Sequence, residues 1–119
     1  MKILLADDSQ FMRTILKGIV QKTYPDAEFF DANNGKDAIQ LTHEHDPDLL
    51  LLDLVMPEKG GIDVLKEVGA LKKNKVVVIS ALGQDKVIAE ARQLGAVAFI
   101  VKPFDEKKVS ETIKSVLGN

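Results

Sequence analysis

Five short apolar runs, separated by segments whose apolar residues recur at helical spacing, constrain this chain more than any other feature. The runs are KILLA at 2–6, AEFFD at 27–31, DLLLLD at 48–53, KVVVIS at 75–80 and VAFIV at 97–101. Each has the length of a strand and falls far short of a membrane span. The first, third, fourth and fifth are almost unbrokenly apolar, as expected of strands covered on both faces. AEFFD is shorter and more polar at its ends, which suits an edge strand. The segments between them predict helices. In 9–23, Phe11, Ile15, Leu16 and Ile19 share a face and Ser9 caps the start. In 35–45 the apolar positions are Ala38, Ile39 and Leu41, preceded by the cap candidates Asn33 and Asn34. Val64, Leu65, Val68 and Leu71 serve 61–72, and Val87, Ile88, Ala91 and Leu94 serve 84–95, which stops at Gly95. Val109, Ile113, Val116 and Leu117 serve 105–117, capped by Asp105 and ended by Gly118. Strand and helix alternate five times with short connections. That is a doubly wound α/β fold: a parallel sheet, right-handed crossovers and helices on both faces, in one domain over 1–119.

Composition removes several classes of function. A chain of 119 residues, 45% apolar, can bury one sizeable core. A net charge of −2 leaves no electrostatic footprint for nucleic acid or an anionic membrane. The absence of cysteine excludes disulfides, thiolate zinc sites and cysteine nucleophiles. The opening MKILLADD reaches acid too soon for a signal peptide, so a cytoplasmic protein is expected.

In an open parallel sheet, ligands sit beyond the carboxyl ends of the strands. The first run ends in Asp7-Asp8, the third in Asp53, the fourth in Ser80 and the fifth in Lys102-Pro103. The second ends in Asp31, followed only by Ala32 and the turn Asn33-Asn34-Gly35. Asp53 stands at the end of an apolar run, where a carboxylate is costly unless its charge is used. Three carboxylates brought together repel one another unless a cation joins them. Oxygen ligands without histidine or cysteine point to Mg²⁺, with Mn²⁺ as a substitute. Mg²⁺ takes one or two carboxylates and completes its shell with waters and phosphate oxygens, which implies a phosphoryl group here. Lys102 supplies a second positive charge and Ser80 a hydroxyl donor. No histidine stands near a serine, so a hydrolase triad lacks its base. The set is one for phosphoryl transfer. Taken singly, each residue has a plainer reading. Asp7-Asp8 could start a turn and cap the first helix, Ser80 could be a satisfied core hydroxyl, and Phe99 could be core. His43 and His45 read as solvated, and Lys72, Lys73 and Lys75 as a solvated loop.

Together, Asp7-Asp8, Asp53 with Met56-Pro57 and Gly61, Ser80-Ala81 and Lys102-Pro103 resemble the CheY-like receiver domains of two-component signalling, over nearly the whole chain. The resemblance implies a flavodoxin-like sheet of order 2-1-3-4-5. It implies Asp53 as phospho-acceptor, charged by the phosphohistidine of a histidine kinase or by a small phosphodonor. Mg²⁺ would be held directly by Asp8, Asp53 and the Val55 backbone carbonyl, with Asp7 acting through water. Ser80 and Lys102 would bind the phosphoryl group, Phe99 would be the aromatic switch residue, and Lys102–Pro103 a cis peptide. The stretches DDSQFMR (7–13) and VKPF (101–104) resemble stand-alone chemotaxis regulators. On that basis a monomeric switch protein is expected, not a turnover enzyme. Its partners would be a histidine kinase, a flagellar motor switch protein and a phosphatase, with no direct nucleic-acid or membrane binding. The alternatives are a phosphorelay intermediate, a receiver excised from a transcriptional regulator, or a degenerate receiver serving as an interaction module. More distant is a haloacid-dehalogenase-like phosphatase, whose two acids stand two apart after the first strand, where this chain has Asp7-Asp8-Ser9. Finally, Val55 and Leu82 occupy the positions two beyond the acceptor and two beyond the hydroxyl. In receivers these positions stand beside the path of the hydrolytic water; being apolar, they predict a long-lived phosphate, the alternative being that both side chains turn outward and leave the rate ordinary.

Overall fold

The computed structural model describes residues 1–69 and 74–118. Its elements alternate in the order β1 (Lys2–Ala6), α1 (Gln10–Thr23), β2 (Glu28–Ala32), α2 (Gly35–His45), β3 (Leu49–Leu52), α3 (Gly61–Val68), β4 (Lys75–Ser80), α4 (Asp85–Gln93), β5 (Ala96–Val101) and α5 (Glu106–Leu117). The five strands form one parallel sheet in the order β2-β1-β3-β4-β5.

The unbroken run Leu49–Leu52 shows how sequence becomes layers. Successive side chains of a strand point to opposite faces. Leu50 and Leu52 therefore join Leu4, Val76 and Val78 against α2, α3 and α4, through Ala38, Val64, Leu65, Val68 and Ala91. Leu49 and Leu51 join Ile3, Leu5, Val77 and Ile79 against α1 and α5, through Leu16, Ile19, Val20, Val109 and Ile113. Each fully buried leucine contributes up to about 3 kcal/mol. A one-residue slip would exchange the two faces, so the register is well defined.

Caps set the helix starts. Ser9 Oγ accepts the Met12 amide at 3.1 Å, Asn34 Oδ1 the Asp37 amide at 2.8 Å, and Asp105 Oδ1 the Lys108 amide at 2.7 Å. Of the two asparagines, Asn34 is the cap. Gly118, at φ +80°, ends α5 in the left-handed conformation that costs glycine least.

Four expectations are corrected. Phe11 is 74% exposed, so it does not serve the apolar face of α1. That face is Met12, Ile15, Leu16, Ile19 and Val20, a regular i, i+3, i+4, i+7, i+8 stripe, and Phe11 lies off it in the first turn. His45 is not solvated: its ring stacks on Phe30 with centroids 4.0 Å apart and planes 19° from parallel. Residues 38, 41, 42 and 45 form one stripe of α2, which brings the last turn over the edge strand β2; His43 is exposed as expected. β5 is not covered on both faces, because Val97 and Val101 stand exposed on what is the second edge of the sheet. α4 runs only from Asp85 to Gln93, shorter than 84–95. The third helix, expected over 61–72, is described to Val68 with Gly69 as its cap. Leu71, Lys72 and Lys73 lie outside the described residues, while Lys75 is exposed.

Candidate functional site

The parallel ladders run past the strand ends and carry the acids with them. Asp7 N–H donates to the Ala32 carbonyl at 3.1 Å and Asp53 N–H to the Ala6 carbonyl at 2.9 Å. The main chains of both residues are thereby held in register with the sheet. Both acids are buried, whereas the next residue, Asp8, is exposed. One carboxylate oxygen from each of Asp7, Asp8 and Asp53 lies within 4.8 Å of the other two.

Lys102 reaches this cluster from the end of β5. Its Nζ donates to Asp7 Oδ2 at 2.9 Å and to Asp53 Oδ2 at 3.0 Å. Burial alone would lower the lysine pKa. The hydrogen bonds and charges of Asp7 and Asp53 outweigh it and hold the ammonium above its ordinary value. The remaining oxygens of the buried pair also have donors, Ser9 N–H on Asp7 Oδ1 at 2.9 Å and Val55 N–H on Asp53 Oδ1 at 3.2 Å. The Asp8 carboxylate has no hydrogen bond or ion pair among the described residues.

One ammonium against three carboxylates leaves the cluster with excess negative charge, and among the described residues its candidate metal ligands are carboxylate oxygens. Such a site suits a hard divalent cation, and the open, exposed Asp8 is where one would be admitted. The peptide bond Lys102–Pro103 is cis.

Ser80 ends β4 and is fully buried. Its Oγ accepts Leu82 N–H at 3.3 Å, which leaves the hydroxyl proton to donate, and its carbonyl accepts Lys102 N–H at 2.9 Å. Phe99 pairs with Val78 across the β4–β5 ladder and packs against the α2–α3–α4 side of the core. By strand alternation it shares a face with Ser80. The exposed Val97 and Val101 lie on the same strand. Val55 and Leu82 are 54% and 36% exposed.

Two residues have contacts at the site that no sequence expectation gave them. Arg13 on α1 pairs with Asp31 on β2 at 2.9 Å, with the arginine side chain mostly buried. The available signal was an acid at the end of β2 opposite the only arginine in the first ninety residues. Gly61 was noted only as a motif position. A Cβ there would lie 2.4 Å from the Asp53 carbonyl oxygen, so α3 abuts the backbone of Asp53.

A five-stranded parallel α/β sheet of order 2-1-3-4-5, with an acid pocket closed by a lysine at its carboxyl edge, defines the class of protein. Within that class, the chain belongs to the response regulator receiver domain family, whose model matches residues 3–114. It is 40% identical to the chemotaxis protein CheY of Thermotoga maritima over 97% of this chain and 96% of that protein. It is 39% identical to CheY of Bacillus subtilis over 98% of each. A chain in the crystal structure of the CheX–CheY–BeF3–Mg²⁺ complex from Borrelia burgdorferi superposes with a TM-score of 0.89 at 33% identity, covering 98% of this chain and 89% of that one. The chain is thus a receiver domain of CheY type. Among the described residues, no helix is long and apolar enough to cross a membrane.

Proposed function

We propose that Asp53 accepts a phosphoryl group from the phosphohistidine of a histidine kinase, or from a small phosphodonor, and that the modified domain switches a protein-binding surface in chemotaxis. The observation that carries this reading is the Asp53 carboxylate. It is buried and oriented by Lys102 and the Val55 amide, yet adjoins the exposed Asp8. An Asp53 oxygen attacks phosphorus, an O–P bond forms and the bond to the donor breaks. Lys102 Nζ has three donors and two are in use, so one remains for a phosphoryl oxygen. Ser80 offers its hydroxyl proton to another. Mg²⁺, when bound, would offset the charge of the transferring group, held by Asp8, Asp53 and the Val55 carbonyl. Asp7 would act on the cation through water, as the receiver resemblance implies.

The chemotaxis assignment rests on the two CheY relatives at about two-fifths identity over nearly the full length. A flagellar motor switch protein is the proposed output partner. A CheX-like protein is the proposed phosphatase, by analogy with the Borrelia complex. Acetyl phosphate with Mg²⁺ should add one phosphate to the wild type and none to Asp53→Asn, and a chelator should abolish labelling. Equal labelling of Asp53→Asn would overturn the acceptor assignment.

A further inference from the structure

Arg13 lies one turn into α1, with its side chain 13% exposed. Its Nε donates to Asp31 Oδ2 at 2.9 Å and its Nη1 to the Asp7 main-chain carbonyl at 2.6 Å. Every polar group of Asp7 is therefore engaged: the amide by Ala32, Oδ1 by Ser9, Oδ2 by Lys102 and the carbonyl by Arg13. The Asp7 carbonyl belongs to the planar peptide unit that ends at the Cα of Asp8. Whatever orients that carbonyl also fixes the Asp8 N–Cα bond, the base from which its side chain departs.

We infer that Arg13 is a positioning residue. Anchored by Asp31, its guanidinium holds the Asp7–Asp8 peptide plane and so aims the Asp8 carboxylate at the cation site. This rests on the proposed reading of Asp8 and Asp53 as cation ligands. The planar fork is essential, because it serves two acceptors in fixed directions, which a lysine ammonium on a flexible stem does not do. A role through charge alone has the opposite sign. A positive group near a divalent cation repels it, so its removal would tighten binding. A role in packing alone would lower the unfolding midpoint and leave the affinity of the folded protein unchanged.

The test is a Mg²⁺ titration of the full ¹⁵N-labelled chain, followed at the Asp8 and Asp53 amides, with urea midpoints measured in parallel. Arg13→Lys, which keeps the charge, should weaken Mg²⁺ about tenfold, as loss of a group orienting a metal ligand commonly does. Asp31→Ala removes a half-exposed anchor with little risk to folding, and should weaken Mg²⁺ by a smaller factor. Both losses should persist in about 0.5 M KCl, where distant charges are screened. Affinity unchanged or tighter in Arg13→Lys overturns the inference, as does unchanged affinity in Asp31→Ala at high salt should the lysine variant fail to fold. A wild-type chain without saturable shifts at Asp8 and Asp53 would instead overturn the cation-site reading on which it stands.

Discussion

Val55 and Leu82 are tied through their backbones to the two side chains proposed to meet the phosphoryl group, Val55 N–H to Asp53 Oδ1 and Leu82 N–H to Ser80 Oγ. Their side chains are partly exposed and apolar, so neither can hold a water in line behind phosphorus. Val55→Asn, Leu82→Gln and the double variant should therefore lose phosphate faster, the double by roughly tenfold or more, followed in excess Mg²⁺. Rates unchanged or slowed would defeat the argument. Lys102 makes a prediction in pH. Its pKa is raised in the folded chain, so its stabilising contribution is complete below the unfolded value and lost as pH climbs through the folded one. Urea midpoints of wild type and Lys102→Arg should run parallel from neutral pH and diverge only above about pH 10.4, since arginine stays charged. A divergence near pH 8 would contradict the ion-pair account.

At the scale of elements, close approach matters more than helix propensity. The first turn of α3 sits on the backbone of Asp53 and Leu54, where a Cβ at Gly61 would lie 2.4 Å from the Asp53 carbonyl oxygen and 2.6 Å from Leu54 Cα. Backbone atoms cannot yield as a flexible side chain can. Gly61→Ala should cost roughly 2 kcal/mol and slow phosphorylation by displacing Asp53. Gly18, in mid-helix on α1 with nothing within 4 Å of an added Cβ, is the internal control. Gly18→Ala should stabilise by about 1 kcal/mol. Equal effects at the two positions, read from denaturant midpoints, would show that packing against Asp53 is not what Gly61 serves. Periodicity located every element, and its errors fell where a neighbour settled the matter. Phe11 matched the apolar alphabet of α1 but not the stripe that meets the sheet. His45 matched a polar alphabet while lying on the stripe that does.

For the molecule as a whole, the proposed switch needs a part that moves at low cost. Ala91 is the one buried residue of α4. The loop before it lies close against β5, because a Cβ at Gly83 would come within 2.7 Å of Val101 Cγ1. Val101 in turn pairs with Ser80 in the sheet. A pull on Ser80 thus reaches the loop, α4 and the neighbourhood of Phe99 through direct packing. The pull counts only if the phosphoryl group contacts Ser80 better in the moved state. Beryllofluoride with Mg²⁺ should shift amide resonances of residues 82–90 and 97–105. Shifts confined to the acid pocket would leave no switch to explain.

The alternation of apolar runs with helical stripes determined the layers, because a sheet covered on both faces requires it. The same reading placed Asp7, Asp8, Asp53, Ser80 and Lys102 at one edge, because every strand of a parallel sheet ends on the same side. Strand periodicity could not distinguish the two adjacent aspartates, which only the family resemblance assigned to different roles. Tertiary structure alone buried Asp7 with all its polar groups engaged and left Asp8 open, through Lys102 ninety-five positions away and Arg13 braced by Asp31 on β2. The physical reason is that strand and helix periods are local and show in the order of residues. Whether a carboxylate is satisfied depends on donors that arrive from other elements, and the chain must be folded before they meet.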